Sequence, residues 1–364
     1  MSASITLTHA GAGSSLELVP DAGMVAVSWM VAGDEVLALP CGREEFLAAA
    51  RTGGLPVLYP YANRLGADSF EVCGKPIDLA GVPSLKRDDK RHPIHGLLLR
   101  RGGWALAVHG PGQLSAELDW GASAELMHAF PFAHTLRIMW TMAAGVTPGA
   151  AVLRVDTQVR ADKGVDVPAA FGWHPYFAVR EPSTATLVRA PMAGIALDPD
   201  GLPTKEGLST GKGQAELRAS AAQGDPRAPA AFGTAAPHTE RIGQGQDALF
   251  MRAGIAGGMT DSASEAGSSS AAAAAPAPVA SIIDAHRRID IRMNGHYPFV
   301  QVFSPHGAAF ACIEPMVGPT DGLRTGHFAT VRAGTSLSAT FEVEVTPCPP
   351  ATGQGSPTRP SSAA

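Results

Sequence analysis

Leu153-Arg154-Val155-Asp156-Thr157-Gln158-Val159-Arg160 (residues 153–160) sets an apolar or β-branched side chain against a charged or amide one at every step. A period of two puts the first set on one face of an extended chain and the second on the other. That is a strand with one face on a core and one in water. The same alternation recurs at Ile289, Ile291 and Met293 between Arg288, Asp290, Arg292 and Asn294, and at Phe341, Val343 and Val345 between Thr340, Glu342 and Glu344. Leu136, Ile138, Trp140 and Met142 form another such face. Cys73-Gly74-Lys75-Pro76, Ala144-Gly145, Asp198-Pro199-Asp200-Gly201 and Ala333-Gly334-Thr335 supply turns between the runs. No long stretch carries a helical stripe; the alanines of 215–236 suggest a short helix that Pro226, Pro229 and Gly233 interrupt. The expected fold is all-β, a large antiparallel β-sandwich.

A chain of 364 residues with 45% hydrophobic side chains can build a sizeable core. Its net charge of −5 argues against nucleic acid and anionic membrane as partners, since both call for a basic surface. No apolar stretch reaches membrane-spanning length, and Met1 to Pro20 lacks the basic and apolar regions of a secretory signal. Cys41, Cys73, Cys312 and Cys348 are scattered, which predicts free thiols and a cytoplasmic setting. Residues 1–346 are expected to form one domain. It carries a disordered insertion at about 257–280, where Gly, Ser and Ala leave little to bury, and a disordered tail at 347–364.

The candidate chemistry centres on two titratable side chains in apolar runs. His174 stands in Phe171-Gly172-Trp173-His174-Pro175-Tyr176-Phe177, and Glu314 follows Phe310-Ala311-Cys312-Ile313 and precedes Pro315. Partly apolar surroundings shift an imidazole and a carboxylate toward proton transfer near neutral pH. The plainer alternatives are a hydrogen-bonded core histidine and a structural salt bridge. Asn63-Arg64 follows Tyr59-Pro60-Tyr61, whose aromatic and polar faces suit a sugar. His95-Gly96 suggests a close approach to the backbone, and Asp247 either holds hydroxyls or ends a turn. His92 and His95 are three apart, but Pro93 and the lack of a third ligand argue against a metal. Together these groups suggest acid–base chemistry on a hydroxyl-rich small molecule.

In this order, Asn63-Arg64, His95-Gly96 with Trp104, Phe130-Pro131-Phe132, Gly172 through Phe177, Asp247-Ala248-Leu249-Phe250 and Glu314-Pro315-Met316 resemble the aldose 1-epimerase (galactose mutarotase) family. Pro319-Thr320-Asp321-Gly322-Leu323 and Gly334 extend the likeness, which covers roughly residues 5–346 outside the insertion. The resemblance implies a galactose mutarotase-like super-sandwich with the sugar in a concave cleft, and cofactor-free interconversion of α and β anomers. It implies His174 as the acid at the ring oxygen and Glu314 as the base at the C1 hydroxyl. Arg64, His95, Asp247 and Asn63 would then bind the sugar, with no metal.

Leu97 and Trp173 depart from the galactose-specific pattern and are expected to make the site bulkier and more apolar. The acidic chain favours a neutral aldose. A hexose 6-phosphate mutarotase is the alternative that Arg100 and Arg101 keep open, and a non-catalytic sugar-binding or sugar-sensing protein is a third. The identity of the aldose and the oligomeric state are not read from the sequence.

Overall fold

Residues 153–160 lie within one long strand, Ala151–Ala161, whose inward residues are buried at every second position. It is an interior strand, sixth of nine, of an antiparallel sheet in the computed structural model, which describes residues 3–49, 51–83, 85–208, 237–252 and 276–348. Across that sheet the order is His238–Arg241, Thr186–Arg189, Ala280–Ile283, Arg287–Met293, Ser336–Pro347, Ala151–Ala161, His134–Ala144, Gln113–Asp119 and Ala105–Gly110. Val155 sits between Trp140 and Phe341, and Ile291 pairs with Val343, so the four alternating runs of the sequence are neighbours presenting one apolar face.

That face packs on a second, seven-stranded sheet, ordered Met192–Ile195, Gln246–Arg252, Phe299–Ser304, Phe310–Met316, Gly172–Trp173 and Val57–Leu58 along its main path, with Tyr176–Ala178 also paired to Phe310–Met316. Trp173 joins the sheets. Its ring meets Trp140 edge-on at 6.2 Å and Phe341 at 5.7 Å, and its Nε1 donates to the buried Thr157 Oγ1 at 3.0 Å. A four-stranded sheet, Ile5–His9, Ser14–Val19, Val25–Val31 and Asp34–Glu35, adds Leu16, Leu18 and Trp29 to the same core. Helix among the described residues is limited to short pieces such as Arg43–Ala48 and Ala124–Ala129. The fold is thus all-β and antiparallel, as the alternation requires.

Two boundaries shift. Most of the expected insertion, residues 257–275, lies outside the described residues, as does the whole of the alanine-rich 215–236. Residues 276–280 are ordered parts of the domain: Val279 donates its N–H to Ile291 O at 2.8 Å, and Ala280 begins a strand. Both side chains are buried, so the segment ends where apolar pairing with the sheet begins. Pro347 likewise closes the last strand and is not tail, while 349–364 lie outside the described residues.

Candidate active site

Phe310–Met316 is buried on both faces, and its alternation decides what each side chain meets. Ala311 and Ile313 enter the main core, whereas Met316 belongs to a small apolar cluster on the opposite face with Leu58, Leu249 and Phe299. Glu314, two residues from Met316, points to this second face. Gly172 pairs with Met316 and Tyr176 with Cys312, so His174, midway between, lies directly across from Glu314. On the other side Glu314 pairs with Gln301, and Gln301 with Leu249, two residues from Asp247.

Pro175 interrupts the ladder between Gly172–Trp173 and Tyr176–Ala178, which frees His174 from regular pairing while its register is kept on both sides. Gly172 is needed here, because a Cβ would stand 2.7 Å from Pro315 O. His174 Nε2 comes to 3.3 Å from Glu314 Oε1. Tyr176 stacks on the imidazole at 4.4 Å between centroids, and His95 meets it edge-on at 5.1 Å. Gln301 Nε2 donates to Asp247 Oδ1 at 2.6 Å.

Burial dominates the electrostatics. It pushes His174 down to about 3, helped by the positive charges of Lys86 and Arg64. It pushes Glu314 well above the usual carboxylate range, reinforced by the negative charge of Asp247 and opposed by Arg64. Asp247 is raised by burial too, against Arg64 and the Gln301 hydrogen bond. His95 is held well below the ordinary imidazole value by burial, then by His174, Lys86 and Arg64. Both members of the His174–Glu314 pair are therefore driven toward neutrality: burial favours a proton on the Glu314 carboxyl over a second one on the His174 imidazole. Moving that proton to His174 changes no net charge and leaves a carboxylate base beside an imidazolium acid. His174 Nδ1, His95 Nδ1, Glu314 Oε2 and Gln301 Oε1 are buried without hydrogen-bond partners among the described residues, an arrangement that a polar molecule bound beside them would satisfy.

His174, Glu314, His95 and Asp247 are thus brought together. Arg64 stands at the edge, its Nε donating to Asp88 Oδ2 at 2.9 Å and its NH1 to Asn63 Oδ1 at 3.1 Å. Asn63 (φ 53°) and His95 (φ 69°) both hold the left-handed conformation that is costly without glycine, and His95 N donates to Asn63 O at 2.9 Å. Among the described residues no cluster of His, Cys, Asp and Glu is placed to hold a metal, and His92 turns to Asp88.

Several sequence expectations move elsewhere. Trp173 points away from His174 into the inter-sheet core, so it adds no bulk to the site: neighbours in an extended chain face opposite ways. Leu97 lines a separate cavity of about 250 Å³ with Arg100 and Arg101. Tyr59 and Tyr61 are core residues, Tyr59 bonding His134. What approaches Gly96 is the Tyr59 backbone, whose oxygen would lie 2.2 Å from a Cβ there. Arg100 is spent on the carbonyls of Phe46, Ala49 and Arg51, and Arg101 on Glu125 and Ser123.

The sequence reading missed Gln301 and Lys86. Gln301 is detectable as the one amide in the apolar run Phe299-Val300-Gln301-Val302-Phe303, whereas Lys86 is masked by the charged run that follows it.

The aldose 1-epimerase family model matches residues 4–344. Among curated proteins, none matches the chain. Among solved structures, Slr1438 from Synechocystis sp. PCC 6803 is similar at 21% identity, covering 95% of this chain and 96% of that one with a TM-score of 0.64. A galactose mutarotase-like protein from Clostridium acetobutylicum is similar at 18% identity, with coverages of 93% and 94% and a TM-score of 0.62. Galactose 1-epimerase from Lactobacillus acidophilus NCFM is similar at 15% identity, 94% of each chain and a TM-score of 0.62. These structures share the fold, and the family match runs through every segment that carries the site: the chain belongs to the aldose 1-epimerase family.

Proposed function

We propose that the protein is a cofactor-independent mutarotase that interconverts the α and β anomers of an aldose. The observation that carries this reading is the placement of His174 and Glu314 directly across one strand pair, both buried and 3.3 Å apart. In the reactive form Glu314 is ionised and His174 protonated. Glu314 takes the proton of the C1 hydroxyl, the C1–O5 bond breaks toward O5, and O5 takes the proton of His174. The C1–C2 bond of the open aldehyde rotates. On closure O5 returns its proton to His174 and attacks the other carbonyl face, and Glu314 returns its proton to O1. Both groups end as they began, so the cycle consumes nothing. His95 and Arg64 orient sugar oxygens, Asp247 and Gln301 hold hydroxyls, and Asn63 supports Arg64.

A second reading, an aldose bearing an anionic group such as a 6-phosphate, is favoured by Lys86. This half-buried ammonium makes no hydrogen bond or ion pair among the described residues, yet its charge bears on both His95 and His174. Arg100 and Arg101 do not support it, being already bonded. Fresh α-D-glucose, α-D-galactose and their 6-phosphates, followed by the decay of optical rotation, separate the cases. Acceleration of a neutral sugar, little affected by salt, supports the first reading. Preference for a 6-phosphate that weakens with salt supports the second. Binding of a sugar without acceleration of any of them would leave a non-catalytic binder and remove both.

A further inference from the structure

Beside the reacting pair lies a hydroxyl couple with no part in the proton transfers above: Tyr176 Oη is 2.7 Å from Thr52 Oγ1 and 3.3 Å from His174 Nε2. The ring planes of His174 and Tyr176 are only 9° apart. With planes so nearly parallel, the hydroxyl stands over the face of the imidazole, off the in-plane direction along which Nε2 gives or takes a proton. Tyr176 thus backs the ring and leaves the reactive edge free.

The backbone repeats the arrangement. His174 N donates to Pro56 O at 3.1 Å and Tyr176 N to Gly54 O at 2.8 Å, so residues 52, 54 and 56 all bond the 174–176 segment. This stretch runs alongside it like an added edge strand. It is itself fixed: Leu55 N donates to Ala26 O at 2.9 Å, and Gly54 is pressed so close that a Cβ would lie 2.1 Å from the same oxygen.

We propose that Tyr176 is a positioning residue for His174, clamped by Thr52, so that the N-terminal sheet sets the tilt of the imidazole through residues 52–56. The proposal rests on the mutarotase reading for its consequence, and on the contacts alone for its geometry. His174 must meet a ring oxygen, lose a proton to it and recover that proton every cycle. A ring free to tilt would miss that alignment, and misplacements of about 1 Å cost roughly 100-fold.

The test uses Tyr176→Leu, Tyr176→Phe and Thr52→Val, with optical rotation giving kcat and KM separately. Tyr176→Leu should lower kcat by about 10- to 100-fold with KM within about threefold, since alignment acts in the transition state. Tyr176→Phe keeps the stack and should recover most of the loss. Thr52→Val should match it, and the double variant should be no worse than either, because both remove one contact. In proton NMR the His174 ring signals, assigned by their loss in His174→Asn, should shift in Thr52→Val as the tyrosine above them loosens. A Tyr176→Leu enzyme with wild-type kcat, or one that loses only KM, overturns the proposal; if that variant does not fold, the other two decide. A wild-type protein inactive on every aldose breaks the mutarotase reading instead, while unmoved His174 signals in Thr52→Val break this inference at any activity.

Discussion

The two large sheets treat a polar residue in opposite ways. In Ala151–Ala161 each polar residue but Thr157 lies on the outer face, and Arg154 is satisfied there by Asp156 and Glu342. In Phe310–Met316 both faces are buried, so Glu314 has no water-facing side to occupy and is held against its preference for charge. The first sheet spends its sequence on stability. The second places apolar residues toward the core and buries Glu314 and His174 on its other face, where desolvation disfavours the charged form of each.

That contrast can be strained from both ends. Leu153→Ala, in the core face of the first sheet, should destabilise the protein by about 2–5 kcal/mol through lost burial and a residual cavity. Urea unfolding measures this, and turnover per folded molecule should stay within about twofold because the site lies on the other sheet. A large loss of turnover at full stability would mean that the two sheets are not separable in this way.

Glu314→Gln should have a smaller effect of opposite sign. Below the ordinary carboxyl value of 4.5, native and unfolded chains are both protonated at this position and nothing is gained. As pH rises above it the unfolded chain releases a proton that the native site retains, so the wild type loses stability until the pH passes the raised native value. The variant escapes this, and its melting temperature should exceed that of wild type by roughly 2–5 °C at neutral pH. The advantage should vanish near pH 4.5. His174 acts in the other direction: its depressed value costs stability as pH falls from 6.5 toward about 3. A Glu314→Gln advantage that is equal at all pH values would show that the carboxylate is not buried as described.

The smallest effect belongs to the outer face of the first sheet. Arg154→Ala removes a half-exposed side chain from its ion pairs and should change stability by less than about 0.5 kcal/mol in chemical denaturation. A loss of about 2 kcal/mol or more would give that face a structural weight the contrast denies it.

Much of the first sheet is legible in sequence because water on one face enforces the period of two. The second sheet is legible only in part. His174 and Glu314 stand out as titratable groups in apolar runs, and Asp247 and His95 are marked by the ordered motifs. Gln301 is hidden because an uncharged amide in a strand has many structural uses, and its value here comes from pairing across to Glu314. Trp173 misleads for the converse reason: next to His174 in sequence, it is on the opposite face in space. Tyr59 and Tyr61 look like sugar-stacking residues until their burial is seen, Tyr59 against Trp120 and Phe171. Register, which sequence alone does not supply, converts these residues into a site.

The central claim is that the buried His174–Glu314 pair performs the anomer interconversion. Its most direct test is the optical-rotation decay of the best aldose with wild type, His174→Asn and Glu314→Gln at equal concentrations of folded protein. The account predicts acceleration by wild type and a loss of about 10²–10⁴-fold in kcat for each variant, since each removes one proton-transfer partner while keeping hydrogen-bonding shape. Either variant mutarotating its sugar at close to the wild-type rate would contradict it.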